Sequence, residues 1–192
     1  MHEIERGERQ KHGFKYEEYI INKYKLEEDE GYTSKWDAYY NGIPVSIKTK
    51  KIGNAVEMGD IFRNADREYS FIMFVGFWES NENKEKVLVE EHILYINKNF
   101  WEKQFDEESM EILEGAFDGI TNSYSDDEKW KERMGNLKDM WKSKPSIINM
   151  HLKRDHKTQK RIQCSIKKKD FYDILVKYYS IDNLDEIFKK NY

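Results

Sequence analysis

Apolar positions along the chain alternate between two spacings. In "GFKYEEYIINKYKL", Phe14, Tyr16, Tyr19, Ile20 and Tyr24 recur at helical intervals, which predicts an amphipathic helix; Gly31, after the acidic run "EEDE", closes that region. Residues 36–51, "WDAYYNGIPVSIKTKK", change to a strand pattern on either side of Asn41-Gly42. Asn-Gly tolerates the positive φ angles of a type I′ turn and is the strongest short-range hairpin signal. With these two as the turn, Tyr40 faces Ile43, Tyr39 faces Pro44, Ala38 faces Val45 and Asp37 faces Ser46. Ile43, Val45 and Ile47 then share the core-facing side.

After a loop at Gly53, "AVEMGDIFRNADREY" reads as a helix interrupted by Gly59. "FIMFVGFW" is a near-continuous apolar run of buried-strand length, and "KVLVEEHILYI" is a further strand with scope for a bulge. Residues 100–142 carry Trp101, Phe105, Leu113, Trp130, Met134 and Trp141 in helices broken by the loop "DGITNSYSDDE". "SIINMHLKRDHKTQKRIQCSIK" predicts two strands around a basic loop, and "KKDFYDILVKYY" a last helix with a short helical tail. The order predicts an α/β (α+β) fold with a central mixed sheet flanked by helices. It is expected as one domain, 1–192: a core over 1–99, a helical insertion over 100–145, and a basic β-hairpin with the C-terminal helix over 146–192.

Composition narrows the setting. A chain of 192 residues buries enough surface to need no staple, and its one cysteine, Cys164, permits no internal disulfide. A reducing, cytoplasmic location is expected. No apolar run has membrane-span length and "MHEIERGERQKHG" lacks a signal-peptide block, so no membrane partner is expected. The net charge of -4 conceals an uneven distribution. Residues 151–169 hold eight Lys or Arg against Asp155, a local +7 that leaves -11 on the rest.

The hairpin register carries the chemistry. Lys48 lies two positions beyond Ser46, so its side chain shares a sheet face with Asp37 and Ser46. A carboxylate beside an ammonium suits metal-assisted phosphodiester hydrolysis. Mg²⁺, with Mn²⁺ as a substitute, takes oxygen ligands and needs only one or two carboxylates when waters and the substrate phosphate supply the rest. The ammonium orients the attacking water and offsets charge on the phosphorus centre.

"WDAYYNGIPVSIKTKK" resembles the core of the PD-(D/E)xK nucleases, the restriction-endonuclease-like superfamily. The resemblance implies a restriction-endonuclease-like core, with Asp37 as the metal-binding acid and Lys48 as the catalytic lysine. "GFKYEEYI" resembles the N-terminal helix of many restriction enzymes, where a glutamate after an aromatic points at the metal. Glu17 is the best match and Glu18 the next. Trp36 stands where the family has proline, and Ser46 where it usually has Asp or Glu. Some restriction enzymes with a serine there recruit a glutamate from the following helix, and Glu57 and Asp60 are the candidates. Ser46 is then expected to hold a water beside the metal.

The basic segment is expected to face DNA, since phosphate neutralisation gives affinity and base-edge contacts give choice. Lys50, Lys153, Lys157 and Lys160 suit phosphates, while Arg154, Arg161 and Gln163 can make bidentate base contacts. In "KRIQCSI" alternation sets Arg161, Gln163 and Ser165 on one face, and Cys164 on the core face with Ile162 and Ile166. His151 and His156 offer part of a histidine-based metal site, without a second ligand cluster.

These observations lead to a Mg²⁺-dependent, sequence-specific endonuclease on double-stranded DNA, of restriction type. A homodimer is expected, with contacts or target recognition in the insertion, and a cognate methyltransferase as a possible companion. The rivals are a structure-selective nuclease, such as a junction resolvase or repair nickase, and a catalytically decayed DNA-binding protein on the same fold.

Overall fold

The computed structural model describes residues 15–28, 35–66, 69–122, 127–153 and 161–189. Phe14, Gly31, Arg154, His156, Lys157 and Lys160, singled out above, lie outside them. The elements run α1 (residues 15–24), β1 (Glu27–Glu28), β2 (Ala38–Tyr40), β3 (Ile43–Lys51), β4 (Val56–Asp60), α2 (Ile61–Ala65), β5 (Phe71–Ser80) and β6 (Lys86–Ile96). There follow α3 (Lys98–Glu102), α4 (Glu107–Asn122), α5 (Asp127–Lys142), β7 (Ile148–Lys153), β8 (Arg161–Ile166), α6 (residues 168–179) and α7 (Glu186–Lys189). The fold is α+β, with a mixed central sheet flanked by helices. No described helix is long and apolar enough to cross a membrane.

The chain divides into two compact units, Met1–Val56 with Tyr69–Asn97 and Lys168–Tyr192, and Glu57–Glu68 with Lys98–Lys167. The basic hairpin and the C-terminal helix, grouped together from sequence, therefore fall in different units.

The first unit holds a five-stranded sheet in the order β1-β2-β3-β5-β6. Asn41 (φ 48°) and Gly42 (φ 77°) both take the left-handed conformation of a type I′ turn. The β2–β3 register sets Ala38 against Val45, Tyr39 against Pro44 and Tyr40 against Ile43, as the turn residues require. β3 and β5 are parallel, and the crossover between them passes through β4 and α2. β6 returns antiparallel to β5 with a bulge: Phe77 faces Glu90 but Trp78 faces Leu88, so Val89 is the extra residue. Tyr16 and Ile20 of α1 pack with Val45, Ile47, Ile72, Phe74 and Ile93 in one apolar cluster. Each such side chain gains about 1.5–3 kcal/mol from burial, which fixes α1 against this face of the sheet.

α6 carries π-helical hydrogen bonding over Phe171–Val176. There Phe171 meets the Phe77 ring edge-on at 5.4 Å, and the Tyr172 hydroxyl donates to Glu90 Oε2 at 2.8 Å. Burial and that carboxylate push the Tyr172 pKa up to about 12.

The second unit packs α2–α5 with a three-stranded sheet in the order β4-β8-β7. Trp101 and Trp141 lie in its core and donate their indole N–H groups to Asn64 O and Ile148 O, each at 2.8 Å. Two expectations are corrected here. Residues 56–60, expected in a helix, form β4, because Val56 and Met58 alternate into the core. Gly59, at φ 89°, breaks any helical run, and Asp60 caps the short α2 by accepting from Arg63 N–H. The loop expected from Asp118 is shorter, since α4 continues to Asn122.

Candidate active site

Asp37 ends the segment leading into β2, and its N–H donates to Val45 O at 3.0 Å, which anchors it beside β3. Its Oδ2 atom collects three donors from that strand. Ile47 N–H donates at 2.5 Å, Ser46 Oγ at 3.4 Å and Lys48 Nζ at 3.0 Å. Lys48 Nζ also donates to Ile47 O at 3.0 Å. The ammonium thus sits where a carboxylate oxygen and a backbone carbonyl converge. The pair is half-buried, with side-chain exposures of 22% for Lys48 and 31% for Asp37, so it is partly shielded yet reachable from solvent.

Ser46 itself is buried, and its hydroxyl is turned to Asp37. It holds the acid in place and adds no carboxylate.

Glu17 belongs to the same neighbourhood. Its carboxyl is raised above the usual range, first by burial and then by the negative charge of Asp37, while the Lys48 ammonium acts in the opposite direction. Glu18, one position on, is exposed.

The position of α1 depends on partners that sequence patterns did not single out, Glu91 and Gly76. Tyr16 and Lys23 both reach Glu91 on β6: the Tyr16 hydroxyl donates at 3.3 Å and Lys23 Nζ at 2.7 Å. The hydrogen bond to Glu91 raises the Lys23 pKa, and burial raises that of Tyr16. The Tyr16 ring passes directly over Gly76 of β5; a Cβ there would lie 2.5 Å from Tyr16 Cζ. A lone glycine inside "FIMFVGFW" was the available signal, because glycine in a buried strand often marks such a close approach.

Glu57 is on β4 in the second unit, with its Oε2 atom 3.8 Å from His151 Nε2. Asp60 is occupied in capping α2. Lys50 faces Phe77 in the β3–β5 ladder and is half-buried. Lys153 and Arg161 face each other in the β7–β8 pairing.

Gln163 is corrected as a base-contacting residue. It is only 5% exposed, and Ser165 is buried along with Ile162, Cys164 and Ile166, so both faces of β8 are covered. The expectation of one open face on β8 fails for the same reason. Cys164 is buried with Ile162 and Ile166, as its alternation indicated.

The donor chemistry fits a hard divalent cation. Asp37, Glu17 and the Ile47 carbonyl are all oxygen donors, and Mg²⁺ retains waters for its remaining positions. Among the described residues, no group of three or more His, Cys, Asp or Glu side chains is placed to hold a metal. Any ion here therefore depends on the carbonyl, waters and substrate oxygens alongside the two carboxylates. No family model, curated protein or solved structure matches this chain.

Proposed function

We propose that this chain is a Mg²⁺-dependent endonuclease acting on double-stranded DNA, built on a restriction-endonuclease-like core and of restriction type. One observation carries the reading: Lys48 Nζ lies 3.0 Å from both Asp37 Oδ2 and Ile47 O.

Asp37, Glu17 and the Ile47 carbonyl would hold Mg²⁺, which supplies charge to polarise the phosphate and favour an attacking water. Lys48 orients that water toward phosphorus and offsets the negative charge that accumulates there. Ser46 and the Ile47 N–H fix the Asp37 carboxylate, so that its second oxygen stays aimed. The new P–O bond forms as the P–O3′ bond breaks; the attacking water gives up its proton to solvent, and the departing oxygen takes one from solvent. The local charge of residues 151–169 supports a polyanionic substrate.

Incubation of the purified chain with unmethylated duplex DNA and Mg²⁺ tests this reading. Discrete fragments are expected, and none with EDTA. Fragments from branched DNA alone would favour the structure-selective nuclease. DNA binding without Mg²⁺-dependent cleavage would favour the decayed binding protein, which the serine at position 46 motivates.

A further inference from the structure

We infer that the second unit carries a binding site for a divalent transition ion such as Zn²⁺, held by Glu57 Oε2, His151 Nε2 and Gln163 Oε1. The three residues come from the three strands of one sheet, ordered β4-β8-β7. Ile148 and Met150 of β7 are buried and stand opposite Ile166 and Cys164 of β8, which makes one face of this sheet apolar. His151 alternates onto the other face, where it stands opposite Gln163. Glu57 lies between the buried Val56 and Met58 of β4, so it points to that same face.

Glu57 Oε2 is 3.8 Å from His151 Nε2. The outer strands of a three-stranded sheet run about 9–10 Å apart, so both side chains lean over the central strand to come this close. Gln163 is the residue of that strand beside His151.

Two features of this trio point to a ligand. Gln163 is 5% exposed, and its Oε1 atom is buried with no hydrogen-bond partner among the described residues. A buried acceptor of that kind calls for an ion or a water to satisfy it. Glu57 and His151, for their part, are too far apart to hydrogen-bond to each other, yet close enough to share an ion. Two ligand atoms about 2.1 Å from one tetrahedral ion lie about 3.4 Å apart, a spacing that a small side-chain rotation reaches. Their side chains are 42% and 34% exposed, which leaves a route in from solvent.

The donor set selects the ion. An imidazole nitrogen with two oxygens suits Zn²⁺ and neighbouring transition ions, whereas Mg²⁺ takes oxygen ligands. A water completes four-coordination. An ion held there ties β4 to β7 across β8. The inference is independent of nuclease activity, because none of its three ligands belongs to the Asp37 site.

Zinc titration of the metal-free full chain by calorimetry, with thermal unfolding of the same samples, tests it. One zinc per chain should bind and raise Tm. His151→Ala, Glu57→Gln and Gln163→Leu should each weaken binding at least tenfold and abolish the rise in Tm. His151 and Glu57 are both partly exposed, so their variants decide the matter if Gln163→Leu fails to fold. A parent that takes up no zinc, or a folded variant of the three that binds it as tightly as the parent, would overturn the proposal.

Discussion

Asp37 Oδ2 accepts from three groups of one strand, and Lys48 bridges that oxygen to the Ile47 carbonyl. Asp37→Ala would leave a half-buried ammonium without its carboxylate, at a cost of about 1–3 kcal/mol in stability, readable by denaturant unfolding. Glu17 carries the opposite tension. Its carboxyl is raised in the folded chain by burial and by Asp37, so the native state holds that proton to higher pH than the unfolded chain does. The associated stability is fully present below the unfolded carboxyl pKa of about 4.3 and is lost as pH rises through the raised folded value. Glu17→Gln should therefore be more stable than the parent at pH 7, with the difference shrinking toward acid, while Mg²⁺-dependent cleavage is lost. Equal stability at pH 7, or full activity, would contradict the placement of Glu17 beside Asp37.

At the level of elements, the hairpin was legible because a type I′ turn fixes register from two residues, and Asn41-Gly42 left no alternative. That turn brought Asp37, Ser46 and Lys48 together before any tertiary contact was considered. β4 was misread because "AVEMGDIFRN" suits either period, and only pairing with β8 settles which one holds. β8 failed differently: alternation signals one covered face, yet Gln163 and Ser165 are buried as well as Ile162, Cys164 and Ile166, and no local pattern in "RIQCSI" announces that the second face is covered. The seat of α1 was likewise hidden, because it depends on Gly76 and Glu91, far from α1 in sequence. Gly76→Ala should force the Tyr16 ring away, destabilise the fold by about 1–3 kcal/mol and reduce cleavage by moving the helix that carries Glu17. Thermal unfolding and cleavage rates on the same preparation measure both effects. An alanine there without consequence would mean that Tyr16 does not hold the helix.

For the whole molecule, the -4 net charge divides into a +7 segment and a -11 remainder. Affinity for duplex DNA should accordingly fall steeply with salt, and replacing Arg154, Lys157 and Lys160 with serine should lower the salt slope by about 2–3. An unchanged slope would exclude that segment from the interface. Nuclease activity is tested most directly by one comparison: the single-turnover rate of Mg²⁺-dependent cleavage of unmethylated duplex DNA by the parent and by Lys48→Ala, with both saturated on the DNA. The parent should yield discrete fragments, and the variant should bind equally well but cleave about 10²–10³-fold more slowly. Intact DNA from the parent, or the same rate from both, would contradict it.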